Sequence, residues 1–263
     1  METIETGTID FTIGEKTFQT FFVHIGFSSE SQTTQSNQRP IVVLHGGPGL
    51  SHHYTLPNLQ LYKTHGIPVV LYDQLGNGRS THLRDKPASF WTVDLFMDQL
   101  DALLAHLKIE DNFDLLGHSW GGMLASEYAA IRRPRGLKRL IIANAPTSMD
   151  LWMESTRALG DTLPDGLGDV LKRHEAAGET DSPEYSHANL EFMKRHICQI
   201  YPFPPELSTS FEQNSLDPTV YCALMGVGGV YVTNGNLEKW SIIDSLHNIT
   251  QPTLLLNGAD DEF

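Results

Sequence analysis

The chain has 263 residues, and 32 Asp and Glu against 18 Lys and Arg leave a formal net charge of −14. That balance argues against a nucleic-acid binder, because phosphate contacts need clustered cations. With 40% hydrophobic and 19% charged residues, and 22 Gly and 14 Pro spread along the chain, the composition excludes disordered and collagen-like classes. The length predicts one domain with room for an inserted subdomain. Met1 to Glu5 lacks the basic and apolar regions of a signal peptide, and no apolar run nears the roughly 18 residues that span a bilayer. A cytoplasmic protein without membrane contact is expected. Cys198 and Cys222 are too few for a disulfide framework, and no Cys and His spacing suits a metal, so buried free thiols are expected.

In chain order, Thr8 to Ile13 and Thr17 to Ile25 flank Gly14-Glu15 and read as a β-hairpin. The polar run Ser28 to Gln38 reads as a surface loop. Short apolar runs at Ile41 to Leu44, Val69 to Tyr72, Phe113 to Leu116, Leu140 to Ile142 and Thr253 to Leu256 read as buried parallel strands. Thr92 to Leu107 reads as a helix, with Leu95, Phe96, Leu100, Leu103, Leu104 and Leu107 on one stripe. This alternation predicts an α/β fold with helices on both faces of the sheet.

The alternation stops after Pro146. Helical patterns follow at Met149 to Leu159, Leu167 to Ala177 and Glu184 to Ile200, punctuated by Pro202-Phe203-Pro204-Pro205. Residues 147–240 hold 14 acidic and 6 basic residues, a net −8, read as a solvated acidic face. The expected division is a core of residues 1–146 and 241–263 around a helical cap of residues 147–240.

The strongest chemical signal is Gly117-His118-Ser119-Trp120-Gly121-Gly122, between a strand and a helix. It fits the G-x-S-x-G turn that lifts a nucleophilic serine above a sheet edge, beside the N–H groups of a helix start. His45-Gly46-Gly47-Pro48-Gly49 follows an earlier strand and would lie at the same sheet end. The N–H groups of Gly47 and Trp120 are the expected oxyanion donors. Asp73-Gln74-Leu75-Gly76-Asn77-Gly78-Arg79-Ser80 reads as a structural loop, with Asp73 and Arg79 able to pair beneath the site. It lacks the Gly-Lys-Ser/Thr of a phosphate loop.

These three motifs, in this order and spacing, resemble the proline iminopeptidase branch of the α/β-hydrolase fold, from about Ile9 to Phe263. The resemblance implies a serine-type exopeptidase or amidase without a cofactor, whose helical cap closes over a small-molecule or short-peptide substrate. It also matches Gly258-Ala259-Asp260-Asp261-Glu262 to the family's acid loop. Asp261 would be the acid of the triad, with Asp260 as the alternative, and Glu262 would hold the substrate amine. The family's second amine-binding Glu falls on Val230, with Glu238 out of register, which opens the site to a less polar amide or ester. Triad order in this fold is Ser, Asp, His, and no His follows Asp261 in the 263 residues. The resemblance therefore implies a missing C-terminal helix and strand bearing the base, with Thr253 to Leu256 left as an apolar sheet edge. His45, His118 and His247 read as structural, and no cap histidine is favoured as a substitute. Besides the iminopeptidase reading stand a hydrolase of small secondary metabolites and a catalytically impaired binding protein. Trp120, Tyr54, Phe203, Tyr221 and Tyr231 are candidates for an apolar pocket, with core packing the bland alternative.

Overall fold

Alternating apolar residues fold the first two stretches back on each other as β1 (Glu5–Ile13) and β2 (Lys16–Ile25), paired antiparallel with Ile13 opposite Lys16. The computed structural model describes residues 3–27, 37–226 and 229–260, so nearly all of the expected loop Ser28 to Gln38 lies outside the described residues. Next come β3 (Ile41–Leu44), α1 (Gln60–His65), β4 (Val69–Tyr72), α2 (Val93–His106), β5 (Phe113–His118), α3 (Trp120–Glu127) and β6 (Leu137–Ala143). Helix α2 starts where Thr92 caps it by accepting the Leu95 N–H at 3.2 Å. After β6 the chain runs through α4 (Met149–Gly160), α5 (Leu167–Ala177), α6 (Pro183–Phe192), α7 (Pro205–Leu216) and α8 (Thr219–Met225) before β7 (Thr253–Leu256). The single helix expected over Glu184 to Ile200 divides at Phe192 into α6 and a wider turn, Met193–Ile197, closed by Cys198 N–H to Met193 O at 2.9 Å.

The seven strands lie in the order β1-β2-β4-β3-β5-β6-β7, parallel from β4 to β7. Every residue of β3 and β4 is buried, and successive side chains feed opposite faces. Val42, Leu44, Val70 and Tyr72 join the core with Phe96, Leu100 and Leu124, while Ile41, Val43, Val69 and Leu71 join the core with Leu59 and Tyr62. Full burial stabilises each such aliphatic side chain by about 1.5–3 kcal/mol, so these central strands anchor the sheet.

Strand β7 takes the edge position that the resemblance implies, not the buried one that its apolar run suggests. It stands at the sheet edge with Leu254, Leu255 and Leu256 exposed at 51%, 71% and 43%. The thiols also differ: both cysteines are free, but Cys198 is half-buried and Cys222 exposed.

The chain leaves and rejoins the sheet layer at one neck. Ser148 bridges Ser241, with Met149 N–H to Trp240 O at 2.9 Å and Ile242 N–H to Thr147 O at 3.0 Å. Trp240 fastens this neck to α3 through its indole N–H, 2.5 Å from Glu127 Oε2. Among the described residues, no helix is long and apolar enough to cross a membrane.

Candidate active site

Strand β5 ends at His118 and α3 begins at Trp120, so the whole reversal falls on Ser119. Its backbone sits at φ 54°, ψ −122°, a conformation that costs a non-glycine residue roughly 1–3 kcal/mol. Ser119 N–H donates to Ala143 O on β6 at 2.9 Å, and Ser119 O accepts from Gly122 and Met123 N–H at 2.8 and 3.0 Å. The turn presses backbone onto backbone. A Cβ on Gly117 would lie 2.1 Å from Gly121 O, and one on Gly121 2.2 Å from Leu44 O, so neither position admits a side chain.

The loop after β3 runs against this elbow. A Cβ on Gly46 would stand 2.9 Å from the Tyr54 hydroxyl and 3.0 Å from Ser119 Cβ. Gly47 follows with φ 116°. The backbone N–H groups of Gly47 and Trp120 donate to no described residue. Both residues border, with Ser119, one small cavity.

Gln74 ties this arrangement together. Its backbone N–H donates to His45 Nε2 at 3.0 Å, its side-chain amide donates to His45 O at 3.0 Å, and its Oε1 accepts the Trp120 indole N–H at 2.8 Å. Because the Gln74 N–H can only donate, His45 Nε2 is bare, and the ring proton sits on Nδ1, 3.0 Å from Gly46 O. Burial, partly offset by the charge of Asp73, holds the His45 pKa below the usual histidine value.

Asp73 pairs differently from the expected contact with the Arg79 side chain. Its Oδ1 accepts the His52 N–H at 2.7 Å and lies 2.9 Å from His52 Nδ1, while Oδ2 accepts the Arg79 backbone N–H at 2.8 Å. The Arg79 guanidinium lies 3.9 Å from the Phe21 ring centroid instead. Burial opposes the Asp73 charge, yet His52, His45 and the Arg79 N–H together hold its pKa below the usual carboxylate range.

The cavity beside Ser119 measures about 20 Å³ and is walled by Pro48, Met123, Met149, Trp152 and Met225. That is room for little more than a water molecule. Of the aromatics proposed from sequence, only Trp120 borders it. Phe203 packs on Tyr201 and Phe211, and the Tyr231 hydroxyl donates to Asp161 at 2.9 Å. Sequence reading missed Trp152 and the three methionines. Met149 and Trp152 at i, i+3 on α4 were the available signal, but that spacing marks ordinary core packing equally well.

Ser119, Gly47 and Trp120 thus come together. Asp261 and Glu262 lie outside the described residues, and Asp260 is exposed. Val230 is buried among Leu171, Tyr185 and Phe192, away from the cavity wall. Among the described histidines none hydrogen-bonds the Ser119 hydroxyl: His45 is held by Gln74 and Gly46, His52 by Asp73, and His118 by Tyr54.

A serine on a strained strand-to-helix turn, at the C-terminal end of an inner strand of a mostly parallel sheet, defines an α/β-hydrolase. Residues 39–263 match the alpha/beta hydrolase fold family, and the chain belongs to it. Proline iminopeptidases of Lactobacillus delbrueckii subsp. lactis and Saccharolobus solfataricus are 34% and 33% identical over 227 and 228 residues, 86% and 87% of this chain and 76% and 72% of theirs. Among solved structures, VinJ matches with a TM-score of 0.87 at 42% identity, and the proline iminopeptidase of Mycobacterium smegmatis with 0.83 at 39%. Each match covers 97% of this chain and 83% of the other. The chain is a serine hydrolase of the proline iminopeptidase type.

Proposed function

We propose that this hydrolase cleaves the amide bond after an N-terminal aminoacyl group, prolyl first among them, in a small or short-peptide substrate. Ser119 Oγ attacks the carbonyl carbon, and the N–H groups of Gly47 and Trp120 take the oxyanion. The proton lost by the Ser119 hydroxyl ends on the departing amine, and water then hydrolyses the Ser119 ester, releasing the acid and restoring the hydroxyl. The observation that carries this reading is the convergence of Ser119 with two backbone donors that have no other described acceptor. In the same reading Asp261 is the acid of the triad and Glu262 binds the substrate ammonium. No imidazole of the described site is assigned as base. Residues 147–240 act as a cap. Its support is the neck at Ser148 and Ser241, and the wall that Met149, Trp152 and Met225 give the cavity. With so little space, an acyl group enters only if wall side chains such as Met149, Trp152 and Met225 move aside. Two free cysteines suit a reducing cytoplasm.

A second reading, a less polar acyl amide or ester, is favoured by the cavity wall, which holds no charged side chain among the described residues. The test is the mass of the 263-residue chain after treatment with a fluorophosphonate, followed by a substrate pair. Labelling that vanishes in Ser119→Ala is expected, as is at least tenfold faster cleavage of a prolyl amide than of its N-acetyl derivative. Folded protein that stays unlabelled, or labelling that persists in Ser119→Ala, overturns the Ser119 reading. Preference for the acetylated amide overturns the aminoacyl reading in favour of the second.

A further inference from the structure

The 3-10 turn His52–Leu59 carries Tyr54 back against the elbow. Its hydroxyl oxygen accepts the N–H of Gly46 and lies 3.1 Å from His118 Nδ1, and the two rings meet edge to face with centroids 5.5 Å apart. One phenol therefore touches the residue before Gly47 and the residue before Ser119. The Gly46 amide can only donate, which leaves the phenol its own proton for His118 Nδ1.

The other side of Gly46 is held as well. Its carbonyl accepts from His45 Nδ1 at 3.0 Å. That carbonyl and the Gly47 N–H belong to one peptide unit, which is trans, so fixing the C=O direction fixes the N–H direction opposite to it. Tyr54 holds the preceding peptide and His45 the following one. Gly46, which a Cβ would drive into Tyr54, His118 O and Ser119 Cβ at 2.9, 2.9 and 3.0 Å, is thereby clamped at both ends.

From this we infer that Tyr54 is a positioning residue, whose hydroxyl ties the oxyanion loop at Gly46 to the elbow at His118 and so sets the distance from the Gly47 N–H to Ser119. The inference rests on the assignment of Ser119 and Gly47 above. Tyr54 touches no reacting atom. Its effect is on geometry, where a displacement of about 1 Å lowers turnover by as much as 100-fold. Burial holds the phenol pKa far above the usual tyrosine value, so the tie keeps its proton at every working pH.

The test is Tyr54→Phe, which keeps the ring and removes the tie. Expected are a fall in kcat on a prolyl amide of about 10- to 100-fold, a KM within twofold, and faster hydrogen exchange at the Gly46 amide. His118→Ala removes the far end of the same tie and keeps the question open to measurement if Tyr54→Phe folds poorly. In the double variant the two losses should overlap rather than add. Unchanged kcat in folded Tyr54→Phe, a rise in KM alone, or fully additive losses overturn the inference. Unchanged turnover in Ser119→Ala would instead overturn the site assignment, and the exchange rate at Gly46 would still report whether the tie exists.

Discussion

Asp73 in the sheet layer and Glu175 in the helical insertion are both buried carboxylates, and each is met by a different answer to the same electrostatic problem. Asp73, fully buried, combines an imidazole with two backbone amides. Glu175, 6% exposed, has no cation paired with it among the described residues. Its Oε1 accepts from Val230 N–H at 2.9 Å and the Tyr185 hydroxyl at 3.2 Å, and its Oε2 from Tyr231 and Val232 N–H at 2.7 and 2.9 Å. Three successive amides aimed at one carboxylate form an anion-holding concavity. The comparison teaches that burial alone does not demand a salt bridge: enough fixed N–H groups replace the counter-ion. It also separates what the two groups stabilise. Asp73 holds the segments flanking the Ser119 site, and Glu175 holds residues 230–232 against α5.

The largest expected effect breaks the Asp73 side. Asp73→Ala leaves the His52 N–H, its ring and the Arg79 N–H without their acceptor in a site closed to water. Each buried donor left unsatisfied costs about 1–3 kcal/mol, so the loss of all three acceptor contacts consumes much of an ordinary domain's stability of about 5–15 kcal/mol. Urea unfolding measures it, and Asp73→Asn, which keeps one acceptor oxygen, should fall between the variant and the parent. An Asp73→Ala chain as stable as the parent would show that the loop does not depend on the carboxylate.

That network marks the limit of what the sequence made legible. The strands at Ile41–Leu44 and Val69–Tyr72 were readable to the residue because short apolar runs bounded by turns have few alternatives in an α/β chain. The same signature at Thr253–Leu256 gave a strand, but its edge position followed from the resemblance and not from the run itself, since local composition cannot say whether a strand is central or at an edge. The convergence of Ser119, Gly47 and Trp120 was legible because a tight strand-to-helix turn needs small residues at fixed offsets. Gln74, Tyr54 and Glu175 were not. Their roles depend on partners 8 to 64 residues away, such as Gly46 and His118 for Tyr54, and no local spacing encodes such a meeting. Asp73 was read as structural, but its partner was misplaced, because a nearby Arg in sequence outweighed a His that only the fold brings close.

A smaller effect tests the Glu175 side. Glu175→Gln keeps the volume but turns one accepting oxygen into a donor that faces N–H groups. The expected loss is about 1–3 kcal/mol from the amides left unmatched. Because those amides belong to residues 230–232, the damage should stay within the insertion. Hydrogen exchange should quicken there and in α5 and α6 while β3, β4 and β5 keep their protection. Uniform loss of protection across the sheet would mean that the insertion and the sheet unfold as one unit.

The smallest effect separates Asp73 from the buried histidines by pH. His45, whose neighbour Asp73 is charged, has its pKa lowered chiefly by burial, and His53 and His24 are lowered by burial as well. A lowered histidine pKa means that the unfolded chain takes up protons first. Stability from these rings is therefore complete above about pH 6.5 and falls as the pH drops toward their folded values. The Asp73 contribution, also from a lowered pKa, is complete above about pH 4 and is lost only below that. His45 alone can supply a slope of up to about 1.4 kcal/mol per pH unit within its window. His45→Gln, which can still offer Gln74 N–H an acceptor, should flatten the decline that sets in below about pH 6.5 while leaving the Asp73 loss below about pH 4 in place. Urea midpoints measured from about pH 8 down to 3 would show both windows. If His45→Gln keeps the full parental slope, the decline belongs to His53 and His24, and the neutral His45 beneath Gly46 is held by its hydrogen bonds without drawing measurable stability from its titration.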